Sequence, residues 1–145
     1  MNQKATIGQT FNHIFKFTQE QVNSFATISG DNNPIHLSEE FAAQTVFKRP
    51  IIHGIFSSSI FSKYFGTIWP GQGTIYLKQT LDFLRPMFVD TEYEAILTVK
   101  AIDFQKNTGV VECKVIDKTT KKATISGEAT LMHKEIFSTE QSNLA

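Results

Sequence analysis

Residues 29 to 36 read "SGDNNPIH", which sets a carboxylate, Asp31, and an imidazole, His36, five positions apart among turn-forming residues. Taken alone the stretch reads as a loop, because Asn and Asp side chains imitate backbone turns and Pro presets φ. Pro34 also stiffens it: the ring fixes its own φ near about −65° and restricts Asn33 before it. A short stiff arc can bring Asp31 and His36 to one point, with Asn33 and Pro34 as the orienting turn. That is the preorganisation general acid–base chemistry requires. With reference pKa values of about 3.9 and about 6.5, ionised Asp31 is the natural base and His36 the easier proton donor or relay.

A second stretch, "PIIHGIF" at residues 50 to 56, places Gly54 at the start of an apolar segment. The first N–H groups of a helix have no partner within it, and the positive end of the helix dipole lies behind them. Gly54 therefore offers a place for a developing oxyanion. His53 beside it reads as a residue that orders the helix start. His13 and His133 show no partner pattern, and no His, Asp or Glu spacing resembles a metal site, so none is expected. Cys113 falls in a strand pattern and reads as a small buried residue. Lys48, Arg49, Lys63 and Lys78 read as solvated surface charge.

The elements that must hold these groups follow from periodicity. Residues 7 to 17 loosely alternate, as in a first strand. Thr18 with Gln21 forms a capping-box pattern ahead of an apolar face at Val22, Phe25, Ala26 and Ile28, and Gly30 ends that helix. Ser38 caps the short segment "SEEFAAQTVF". Residues 53 to 65 are apolar on several sides, which predicts a buried helix. The second half turns β-branched and aromatic, with "TIYLKQTLDFL", "TEYEAILTVKAIDF", "GVVECKVID" and "ATISGEATLMH" as four strands. A buried helix followed by long antiparallel strands predicts an α+β fold, a curved sheet around one helix.

The 145 residues predict a single domain over residues 1 to 134, with a flexible tail from 135 to 145. Fourteen basic residues balance fourteen acidic ones, so no net field draws the chain to nucleic acid. No apolar run approaches the roughly 18 residues of a membrane span, and the N-terminus lacks a signal-peptide core. One cysteine fits a reducing cytoplasm. Thirteen phenylalanines point to a core or pocket lined with flat apolar surface.

"SGDNNPIHLSEEFA" resembles the signature of the (R)-specific enoyl-CoA hydratases, the MaoC-like branch of the hotdog superfamily. "FKRPIIHGIFSSSIFS", "GTIYLKQTLDFLRPMFVDTEY" and "SGEATL" resemble further family segments in the same order, covering residues 7 to 133. The resemblance implies a single hotdog fold and a homodimer with a continuous sheet. Its catalytic pair falls on Asp31 and His36, and its thioester-binding N–H on Gly54. The implied reaction is reversible hydration of a trans-2-enoyl-CoA to a (3R)-3-hydroxyacyl-CoA, with coenzyme A as part of the substrate and no separate cofactor. In this fold Ser62 and Phe65 could face the acyl tunnel, although core packing explains Phe65 as well. Asp90, in "FVDTEY", stands at an apparent family glycine, which bears on the local turn and not on the pair. A 3-hydroxyacyl-[acyl-carrier-protein] dehydratase, a non-catalytic acyl-CoA-binding module and a thioesterase are the alternatives.

Overall fold

The computed structural model describes residues 3–139. Strand β1 (Thr10–Phe15) leads into helix α1 (Gln19–Ser29), then two short turns of helix, α2 (Pro34–Leu37) and α3 (Glu39–Ala43). Helix α4 (Gly54–Thr67) follows, and then strands β2 (Ile75–Phe83), β3 (Tyr93–Asp103), β4 (Thr108–Asp117) and β5 (Ala123–Met132). The five strands form one antiparallel sheet in the order β1-β3-β4-β5-β2.

Strand β3 shows why the sheet has one buried face. Tyr93, Ala95, Leu97 and Val99 are buried at every second position, as the period of a strand requires. The register sets Ala95 opposite Val115, Leu97 opposite Cys113 and Val99 opposite Val111, so buried residues meet buried residues. This face joins Ile60, Phe61, Tyr64 and Phe65 of α4 in a single apolar cluster. Fully burying a side chain such as Phe61 contributes about 1.5–3 kcal/mol. The architecture is the expected sheet around a helix, the hotdog arrangement.

Several expectations change in detail. The first strand is shorter than predicted, and "SEEFAAQTVF" is helical only over Glu39–Ala43. Helix α4 is not buried all round: Ile55, Ser62, Lys63 and Gly66 are exposed, because the sheet of one chain covers only one side of the helix. The flexible tail is corrected where it can be seen. Ile136 and Phe137 are buried, and Phe137 rests on Gly109 where there is no room for a Cβ. The Ala5 N–H donates to the Ile136 carbonyl at 2.9 Å, so the two ends of the described chain are joined. The rest of the predicted tail, 140 to 145, lies outside the described residues. Asp90 adopts φ +56° while its N–H donates to the Phe17 carbonyl at 2.8 Å, so it takes the left-handed geometry that favours glycine.

Candidate active site

Helix α1 stops where Gly30 adopts φ +81°, and the chain enters the turn that carries Asp31. The Asp31 N–H donates to Ser29 Oγ at 3.1 Å, and its carboxylate Oδ1 accepts the Asn33 N–H at 3.3 Å. Asn33 then caps α2: its Oδ1 accepts the Ile35 N–H at 3.2 Å, with Pro34 in the first helical position. The turn residues are thus the device that brings a ring nitrogen of His36 within 4.8 Å of the Asp31 carboxylate. Sequence reading did not anticipate α2 as a helix, because four residues are too few to show a period.

His36 is buried, and its Nδ1 lies 2.7 Å from the Ile51 carbonyl oxygen. A carbonyl only accepts, so Nδ1 carries the proton and the neutral ring presents a lone pair at Nε2. Burial holds the His36 pKa below its ordinary value of 6.5. Neighbouring His53 pushes it the same way, while the Ile51 carbonyl and Asp31 act against the shift. His53 is only 2 % exposed and stacks on His36 with ring centroids 3.8 Å apart. Its Nε2 donates to the Asp31 main-chain oxygen at 2.9 Å. One donor atom from each of Asp31, His36 and His53 falls within 4.8 Å of the others. That spacing suits one bridging water, and the donor types would also suit a small divalent cation. Asp31 itself is exposed, so the pair joins a buried imidazole to a carboxylate open to solvent.

Helix α4 starts directly after His53, and no side chain caps its first N–H groups. Gly54 lines a cavity of about 450 Å³ with Phe47, Ile51, Ser57, Phe83 and Met87. A Cβ on Gly54 would stand 2.8 Å from the Phe83 ring, so the close approach of that ring requires glycine. Ser57, one turn into the helix, is buried in the cavity wall, and its Oγ has no hydrogen-bond partner among the described residues. The structure gathers Asp31, on the turn that Asn33 and Pro34 shape, with His36 and His53, and Gly54 follows His53 directly; Asp31, Asn33, Pro34 and His36 are not among the residues that line the Gly54 cavity. It does not bring Ser62 or Phe65 to this cavity: Ser62 is exposed, and Phe65 is core, edge-on to Tyr64 and Tyr76.

Sequence reading missed Ser57 and Phe83 and undervalued His53. The signal for Ser57 is a polar residue on the buried side of an apolar helix. Phe83 and His53 act through contacts far along the chain, which no local pattern carries. His133 is structural, donating from Nε2 to the Gln72 carbonyl and accepting the Glu135 and Ile136 N–H groups at Nδ1. Cys113 is buried, which pushes its thiol up to about 12 and leaves it inert as a nucleophile. Arg49 stacks over the Phe88 ring at 3.8 Å.

Comparison with known proteins gives consistent results. The family described as "MaoC like domain" matches residues 2–135. An (R)-specific enoyl-CoA hydratase from Aeromonas caviae is 38% identical over 127 residues, covering 88% of this chain and 94% of that protein. A mitochondrial 3-hydroxyacyl-[acyl-carrier-protein] dehydratase from Arabidopsis thaliana is 28% identical over 126 residues, covering 86% of this chain and 75% of that one. Among solved structures, the (R)-hydratase from A. caviae involved in PHA biosynthesis superposes with a TM-score of 0.85 at 36% identity, covering 90% of this chain and 98% of that one.

Proposed function

The chain belongs to the MaoC-like domain family, and from that premise we propose that it hydrates trans-2-enoyl-CoA thioesters reversibly to (3R)-3-hydroxyacyl-CoA. The observation that carries the proposal is the convergence of Asp31 and His36 beside an uncapped helix start at Gly54. A water held between the Asp31 carboxylate and His36 Nε2 loses a proton to Nε2 as its oxygen bonds C3. The C2–C3 π pair moves toward the thioester, and the Gly54 N–H receives the charge that collects on its oxygen. His36 then returns the proton to C2, so nothing is left over. Asp31 orients the water and stabilises the transient imidazolium. This assigns the proton-accepting role to His36, the reverse of the sequence expectation, because Nδ1–H is committed to the Ile51 carbonyl.

No cofactor takes part in this scheme, and activity should survive exhaustive chelation. Loss of activity in chelator, restored by a divalent metal, would transfer the Asp31, His36 and His53 set to metal chemistry. The working unit is a homodimer. Strand β2 lies at the sheet edge with Ile75, Tyr76 and Leu77 exposed, and a second copy can extend the sheet there. The site is cytoplasmic, in keeping with the single buried thiol; no described helix is long and apolar enough to cross a membrane.

Loss of enoyl-thioester absorbance across a chain-length series, with chiral analysis of the product, tests the reading. Absence of hydration on every member would overturn it. Faster turnover of carrier-protein thioesters than of CoA thioesters would favour the dehydratase alternative, and release of free thiol would indicate a thioesterase. Tight binding without turnover would leave an acyl-CoA-binding module.

A further inference from the structure

His53 is the residue whose bonds the mechanism above does not use. As the N-cap of α4 it makes no capping bond to its own helix. Its side chain turns back across 22 residues of sequence, and Nε2 donates to the Asp31 main-chain oxygen at 2.9 Å. Its ring face lies on His36 at 3.8 Å, and its edge meets Phe25 at 4.8 Å. Its own C-terminal neighbour is Gly54. One buried side chain thus touches both members of the pair, and its backbone delivers the N–H that would hold the thioester oxygen.

We propose that His53 is a positioning residue: its Nε2–H bond to the Asp31 main chain sets the distance between the Asp31/His36 pair and the Gly54 N–H. The inference rests on the hydratase reading. The physical warrant is that the water and the carbonyl must be placed together. The turn at 30–34 and the start of α4 belong to different elements with no covalent link closer than the intervening helices. A shift of about 1 Å between reacting groups can cost on the order of a hundredfold in rate. The Asp31 carbonyl only accepts, so the bond also fixes the His53 tautomer with the proton on Nε2. Its Nδ1 lone pair is then left buried and without a hydrogen-bond partner among the described residues.

Two substitutions separate the bond from mere filling of space. His53→Phe keeps an aromatic ring against His36 and Phe25 but has no donor. His53→Gln loses the ring but keeps an N–H able to reach the Asp31 oxygen. For a positioning role, kcat in His53→Phe falls roughly tenfold to a hundredfold with KM little changed, and His53→Gln recovers most of the loss. A filler role reverses that order, so His53→Phe matching or exceeding His53→Gln in kcat would overturn the proposal. Nitrogen-15 NMR of the unmodified protein reads the bond without any variant. A neutral His53 protonated on Nδ1 cannot make it, and that result overturns the inference even where variants fail to fold. If the unmodified protein hydrated no enoyl thioester, the functional reading would fail, and the tautomer would still decide the bond.

Discussion

Helices α1 and α4 begin in opposite ways. At α1 the Thr18 side chain accepts the Gln21 N–H at 3.2 Å, and the Gln21 side chain accepts the Thr18 N–H at 2.9 Å, a complete capping box. At α4 the cap position holds His53, whose side chain is spent on Asp31, and the first turn receives no side-chain bond. Unpaired N–H groups at a helix start cost stability unless water or a ligand takes them. The sequence closes the start of α1 and leaves open the one that faces a cavity. The contrast separates stability from chemistry, and each of the following changes tests that separation.

The largest effect is expected at the pair. Asp31→Asn keeps the oxygen that accepts the Asn33 N–H, and Asp31 is exposed, so stability should hold within about 0.5 kcal/mol. Hydration should nevertheless fall roughly 10²–10⁴-fold, as should that of His36→Gln. Steady-state kinetics beside a denaturant titration checks both. An active Asp31→Asn would remove the carboxylate from the mechanism.

The next effect isolates the open N–H at Gly54. Proline is tolerated at the first helical position, and His53 at ψ 130° already has the extended geometry a following proline demands. Phe83 must be cut back to make room. The informative comparison is therefore Gly54→Pro with Phe83→Ala against Gly54→Ala with Phe83→Ala. Both double variants add a Cβ, and only the proline removes the N–H. Loss of one oxyanion donor typically costs about 2.7–4 kcal/mol, or roughly 10²–10³-fold in kcat. Equal rates for the two would mean that the Gly54 N–H holds nothing.

Thr18→Ala is the counterpart at the closed helix. It should cost about 1 kcal/mol of stability, read as a lower denaturation midpoint, and leave kcat unchanged. A fall in kcat at an unchanged midpoint would erase the distinction between the two helix starts.

The same contrast governs what the sequence reveals. The capping box at Thr18 and Gln21, the Gly30 stop and the alternation of β3 are local patterns, each readable within a few residues. Asp31 and His36 were legible because one stiff turn carries both. His53 is legible only as a residue at the start of α4; its bond to Asp31 spans 22 residues, which no periodicity encodes. The family resemblance puts Ser62 and Phe65 toward an acyl tunnel, but it does not say which side of α4 meets the sheet. Phe65 went to the core and Ser62 to solvent. Phe137 lies past the last strand, in sequence with no repeat. Its burial depends on distant partners, Gly109 on β4 and the Trp69 ring that meets it edge-on.

The smallest effect is one of pH, and it separates stability from chemistry once more. Burial lowers the pKa of His36 and of His13, with Lys63 adding to the shift at His13. In the unfolded chain both titrate near about 6.5. Below that pH the unfolded state takes up protons that the folded state refuses, so it binds more protons and stability falls as pH falls. The stabilising contribution is complete above the unfolded value and is lost progressively toward the folded one. The kcat/KM profile follows a different group state, since it reports the free folded enzyme and begins to fall where His36 Nε2 is protonated in that folded state. Stability should therefore begin to decline near pH 6.5, while kcat/KM holds to a lower pH. His13→Gln should flatten part of the stability slope without moving the rate profile, because His13 packs edge-on to Tyr64 and takes no part in the site. A kcat/KM limb that falls above pH 6.5 would contradict a neutral, proton-accepting His36. The proton-accepting role would then return to Asp31.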